Sequence, residues 1–163
     1  MSKLKTLDDL LEHQLKDLYS AEVQILAALP KMMDKATDKK LKKAFETHYQ
    51  QTQEQKERLE KACEILGVNP KGETCKAMEG LIKEASEFLK EDAEDAVMDA
   101  GLIAEAQRVE HYEISGYGTA RRYAEQLGHS EVADLLAQTL EEEKDTDELL
   151  NDLAIESINE KAE

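Results

Sequence analysis

The 163 residues carry 37 acidic against 21 basic side chains, for a formal net charge of −16, and only 4% are aromatic. So acidic a chain repels nucleic acid and anionic membrane surfaces, and neither is expected as a partner. Two prolines and seven glycines, among abundant Ala, Leu, Glu and Lys, predict one all-helical domain over 1–163 with a real hydrophobic core.

No apolar run approaches the length of a membrane span. The opening residues Met1-Ser2-Lys3-Leu4 lead into polar helix without the apolar core of a signal peptide, so a cytoplasmic location is expected. Cys63 and Cys75 fit no zinc spacing and form no CxxC. Two free thiols are the expectation, because cytosolic disulfides are rare. A redox pair would require the connection that carries Cys75 to fold back onto the helix that carries Cys63.

In chain order, Thr6 is a plausible N-cap ahead of Leu7-Asp8-Asp9-Leu10. Leu11, Leu15, Leu18, Glu22, Ile25 and Leu29 then follow the helical step, and Pro30 is expected to kink or end the helix near Leu29. Thr37-Asp38 reads as the next N-cap. A second helix over about 39–66 stops at Gly67, with Leu41, Phe45, His48, Thr52, Gln55, Leu59, Ala62 and Leu66 inward. Glu54, Glu57 and Glu60 with Lys56, Arg58 and Lys61 read as its solvated face.

Val68 to about Glu91 is too long for a hairpin link, and Thr74 is expected to cap a short helix within it. That length predicts a crossover between parallel helices. A third long helix spans about 95–127 and ends at Gly128. Its stripe of Leu102, Ala106, Glu110, Glu113, Tyr117, Ala120 and Ala124 contains two carboxylates. Ser130 is expected to cap a fourth long helix with Val132, Leu136, Leu140 (or Thr139), Glu143, Leu150 and Leu153 inward, Glu142 competing with Glu143 for that position. The polar tail after Ile158 is expected to fray.

Each long helix thus carries polar groups at the middle of its buried stripe. Bundles with one long crossover often hold two metal ions there, using one Glu from each of two helices and Glu-x-x-His from each of the others. Carboxylates are hard, anionic and able to bridge two cations, while imidazole suits iron, manganese or zinc. Glu22, Glu110, Glu113, Glu143 and His48 are the candidate ligands for iron or manganese. No Glu-x-x-His occurs, and His111 points about 100° away from Glu110. Against the metal reading stands a structural one, in which core Arg, Lys or Tyr satisfies the carboxylates and His48 is a hydrogen-bonded core histidine. Tyr19, Tyr49, Tyr112 and Tyr117 are expected to fill space and donate hydrogen bonds to carboxylates.

At these residues the chain resembles the YciF/YciE-type bacterial stress proteins of the ferritin-like superfamily. The segments that carry the resemblance are Leu18-Tyr19-Ser20-Ala21-Glu22, Cys75-Lys76-Ala77-Met78-Glu79-Gly80-Leu81, Glu142-Glu143-Lys144 and, most specifically, Val109-Glu110-His111-Tyr112-Glu113-Ile114. The resemblance covers nearly the whole chain. It implies an all-α, ferritin-like four-helix bundle with a long crossover carrying a short fifth helix, a homodimer, and kinship with rubrerythrin and manganese catalase. One segment departs from the family: members often read His-Leu-Glu-Glu-Thr where this chain has His48-Tyr49-Gln50-Gln51-Thr52. The expected function is that of a stress-response protein handling peroxide or oxidising ferrous iron at a carboxylate-bridged di-metal site. The alternative is a non-catalytic stress or interaction protein with no bound metal.

Overall fold

A computed structural model describes residues 4–163; Met1, Ser2 and Lys3, part of the segment read above for a signal peptide, lie outside the described residues. The elements are α1 (Leu7–Lys35), α2 (Lys39–Leu66), α3 (Lys76–Phe88), α4 (Asp95–Gln126) and α5 (Ser130–Leu153). A π-helical turn (Ala154–Ile158) and α6 (Asn159–Lys161) complete the chain. No strand occurs among the described residues, and none of their helices is long and apolar enough to cross a membrane.

Local chemistry sets the helix ends. Thr6 Oγ1 accepts from Asp9 N (3.1 Å) and Asp9 Oδ2 accepts from Thr6 N (2.9 Å), a reciprocal capping box. Asp38 Oδ1 caps α2 by accepting from Lys40 N and Leu41 N at 2.9 and 3.2 Å. Gly67 closes α2 in the left-handed conformation (φ 67°), which costs glycine nothing.

Four boundary expectations are corrected. α1 does not end at Pro30 but continues to Lys35, with the proline on the exposed side of the helix. Met32 and Ala36 are buried beyond it and hold the last turn on the core. Cys75, not Thr74, caps α3, its Sγ accepting from Met78 N at 3.4 Å. α5 begins at Ser130 itself, with His129 as an N-cap that makes no side-chain bond. The tail continues as helix because Ile158 is buried and Lys161 Nζ reaches back 3.0 Å to Asp38.

The direction of each helix follows from two apolar clusters. One gathers Leu41 and Phe45 of α2 with Met98 and Leu102 of α4, and also Ile25 and Leu29 of α1 with Leu150 of α5. The other joins Leu59 and Ala62 of α2 to Ala120 and Ala124 of α4, with Leu11 and Leu15 of α1 and Leu136 of α5. So α2 and α4 run parallel while α1 and α5 run opposite to both. This is the expected crossover connectivity, with short links only inside the α1–α2 and α4–α5 pairs. The crossover helix α3 packs on α1 and α4. It seats Phe88 over Gly101, where an added Cβ would come within 1.9 Å of the ring.

Candidate metal centre

Between the two apolar clusters lies one polar layer. Glu22 enters it from α1, His48, Thr52 and Gln55 from α2, Glu110 and Glu113 from α4, and Thr139 and Glu143 from α5; all are buried. In each helix the layer is bracketed by cluster residues: Leu18 and Ile25 around Glu22, Phe45 and Leu59 around His48, Ala106 and Tyr117 around Glu110 and Glu113. Helical periodicity therefore forces these side chains inward wherever the apolar neighbours go.

His48, Glu110, Glu113 and Glu143 each bring one donor atom into a group whose atoms all lie within 4.8 Å of one another. Glu22 stands beside this group, and Tyr117 donates its hydroxyl to Glu22 Oε1. Few protein donors reach the layer. Glu22 Oε2, Glu110 Oε2, both oxygens of Glu113, Glu143 Oε2 and both nitrogens of His48 are buried without a hydrogen-bond partner. His48 Nε2 is 3.2 Å from Glu110 Oε1, yet the two lack hydrogen-bond alignment.

Burial and the neighbouring Glu143 carboxylate push Glu22 up to about 8 and hold Glu110 and Glu113 well above the usual carboxylate range. Tyr117 is likewise pushed well up by burial and by Glu22. Burial lowers His48, leaving its imidazole neutral with a lone pair to offer. Three carboxylates and a neutral imidazole around one point suit iron, manganese or zinc. The unpartnered atoms are those a cation would satisfy, so the residues fit a metal.

The neighbouring residues Glu142 and Glu143 divide the labour on α5. Glu143 is fully buried, whereas Glu142 turns aside to the Arg58 guanidinium, at 2.6 Å from Nη1 and 2.8 Å from Nη2. Gln55 Nε2 donates to Glu142 Oε2 at 3.0 Å and also to Glu143 Oε1. Arg58, expected on a solvated face, closes on Glu142, and Gln55, expected inward, joins both acids; a polar residue mid-stripe with a cation three residues on is the sign of this in the sequence. His111 points out of the bundle to Asp147, 3.1 Å away, as its spacing required. Gln50 is exposed and Gln51 half-buried, so neither amide replaces an inward ligand. Phe45 stands one turn before His48, and Thr146 one turn after Glu143, where the complete di-metal set would have Glu and His.

Of the other tyrosines expected to bond acids, Tyr112 donates to Asp17 and Tyr19 to Glu60 at 3.0 Å, whereas Tyr49 packs against an apolar cluster. Both cysteines are free, Cys63 in one apolar cluster and Cys75 in the other. Burial raises both thiols, Cys63 to about 11.

The family described as Domain of unknown function (DUF892) matches residues 6–163. Protein YciF of Escherichia coli is 48% identical over 161 residues, covering 98% of this chain and 97% of that protein. The crystal structure of the E. coli stress protein YciF superposes with a TM-score of 0.92, covering 96% of this chain and 99% of that one at 47% identity. The protein YcfI of Rhodopseudomonas palustris gives 0.88 at 46% identity, over 91% and 95% of the two chains. A Xanthomonas campestris protein, 21% identical with a TM-score of 0.71 over 90% and 89%, shares the fold.

Proposed function

The chain belongs to the DUF892 family, and on that premise we propose that it is a YciF-like cytoplasmic stress protein binding iron or manganese in its carboxylate layer. The observation that carries this is the set of seven buried donor atoms on Glu22, His48, Glu110, Glu113 and Glu143 that no protein group satisfies. Unpaired buried carboxylates cost several kcal/mol, roughly, unless protonated or bound to a cation. His48, Glu110, Glu113 and Glu143 would hold the first ion, and Glu22 would serve a second. Bound there, iron or manganese would supply redox chemistry suited to peroxide handling or ferrous-iron oxidation.

The chain's own residues prepare that site. Tyr117 fixes Glu22 by its hydroxyl, and Gln55 fixes Glu143 by its amide. Arg58 draws Glu142 out of the layer, which limits the negative charge crowded there. The apolar clusters above and below exclude water and competing reactions. A homodimer accompanies this reading, and sedimentation at several concentrations would test it.

The test is elemental analysis of protein purified aerobically without chelators, followed by Fe(II) and Mn(II) titration of the parent and of Glu113→Gln. Near-stoichiometric uptake by the parent, sharply weakened in the variant, is expected. A parent that stays empty after both titrations would instead be a non-catalytic stress or interaction protein.

A further inference from the structure

A narrow apolar cavity of about 30 Å³ lies beneath the crossover helix, between α1, α3 and α4. Its walls are Ile25, Leu29, Ala85, Leu89, Ala106 and Val109. His48 and Glu110 form its inner end, and Lys31, Ser86 and Glu105 edge it nearer the surface. This cavity therefore ends on two of the residues that converge in the polar layer. A space of this volume suits one small molecule, such as a water, a diatomic or a single apolar atom. Between those polar groups at its two ends the lining is aliphatic. A hydrated cation or a charged substrate would have to shed its water against aliphatic side chains, which is prohibitive. An uncharged apolar diatomic loses nothing by entering.

We infer that this cavity is the entry route by which dioxygen reaches the polar layer, with Ala106 and Ala85 setting its bore. The route deepens the proposed metal function, since it names the reactant that the site receives. The small side chains at Ala85 and Ala106 keep the passage open where α3 and α4 meet. α3, through Phe88 against Gly101, fixes the roof. Metal ions must enter elsewhere.

The experiment has two arms. In the first, the metal-free protein, with methyl groups of Ile, Leu, Val and Ala labelled, is titrated with xenon under pressure and followed by NMR. Xenon stands in for dioxygen as an apolar, uncharged probe. The methyls of Ile25, Leu29 and Val109 should shift in the parent and stay still in Ala106→Leu and in Ala85→Leu, the second variant guarding against misfolding of the first. In the second arm, the Fe(II)-loaded protein is mixed anaerobically with nitric oxide, an uncharged diatomic that reports by absorbance. Association should slow at least tenfold in both folded variants, with Fe(II) stoichiometry unchanged. Parent methyls that ignore xenon, or association rates untouched by both substitutions, would overturn the inference. If the parent takes up no iron, the metal reading fails and the xenon arm still decides whether the cavity receives a diatomic molecule.

Discussion

Two buried carboxylate sites in this bundle follow opposite designs. Asp99, near the start of α4, is 3% exposed, and both its oxygens are fully used. Oδ1 accepts from Thr37 N at 2.8 Å; Oδ2 accepts from Thr37 Oγ1 at 2.6 Å and from Asp38 N at 2.8 Å. It ties the α1–α2 link to α4 and needs nothing else. Glu113 is as deeply buried, and neither of its oxygens has a partner. A structural carboxylate collects donors until its lone pairs are filled. Each mid-bundle carboxylate keeps at least one buried oxygen without a donor, and Glu113 keeps two. The contrast separates a buried acid that holds the fold from one that waits for a proton or a metal.

The largest expected effect is on the pH dependence of metal-free stability. Unfolded Glu22 ionises near its ordinary 4.5, whereas in the folded protein it holds its proton to about 8. Glu110 and Glu113 shift in the same direction. The folded state therefore binds more protons. Stability is highest below pH 4.5 as far as these groups are concerned, and is lost as pH rises through 8, by several kcal/mol, roughly. Urea melts with chelator at pH 5, 6.5 and 8 measure it. A midpoint that rises over that range would mean the layer is paired after all. Added Fe(II) or Mn(II) should flatten the slope, since metal displaces those protons.

Next comes Asp99→Ala, which strands the Thr37 and Asp38 amides. It should cost about 2–3 kcal/mol, the worth of hydrogen bonds to a charged group, with metal uptake unaltered. Denaturant melts beside a metal titration separate the two effects. The smallest effect, and the sharpest in sign, is Glu110→Gln. Replacing an acid that must be protonated by a neutral amide should stabilise the metal-free protein at pH 7 by on the order of 1 kcal/mol, while abolishing the metal-induced gain. A lower melting temperature would place Glu110 in the same class as Asp99.

This contrast was only half visible in the sequence. Mid-stripe placement at helical spacing revealed Glu22, His48, Glu110, Glu113 and Glu143, and all five are buried. The phase ambiguity between Glu142 and Glu143 was real, because one residue moves a side chain by 100°. Arg58 resolves it from another helix, across 84 residues of chain. Periodicity reports which way a side chain faces along its own helix and says nothing about partners on the next one. For the same reason Asp99 went unnoticed: its donors lie 61 and 62 residues earlier, in a link between helices. Pro30 does not end α1, because the cost of a proline depends on its surroundings, and its exposure is a tertiary property.

The crossover has a kinetic consequence. The α1–α2 and α4–α5 pairs are each joined by a three-residue link and can form early, as local structures. The polar layer cannot, since Tyr117 meets Glu22 from 95 residues away and His48 meets Glu110 only when the two pairs dock. Docking is therefore the step that buries the carboxylates, and at neutral pH Glu22, Glu110 and Glu113 must pick up protons as they go under. The refolding limb of a chevron should slow as pH rises from 6 to 8, and unfolding should carry the smaller share of the dependence.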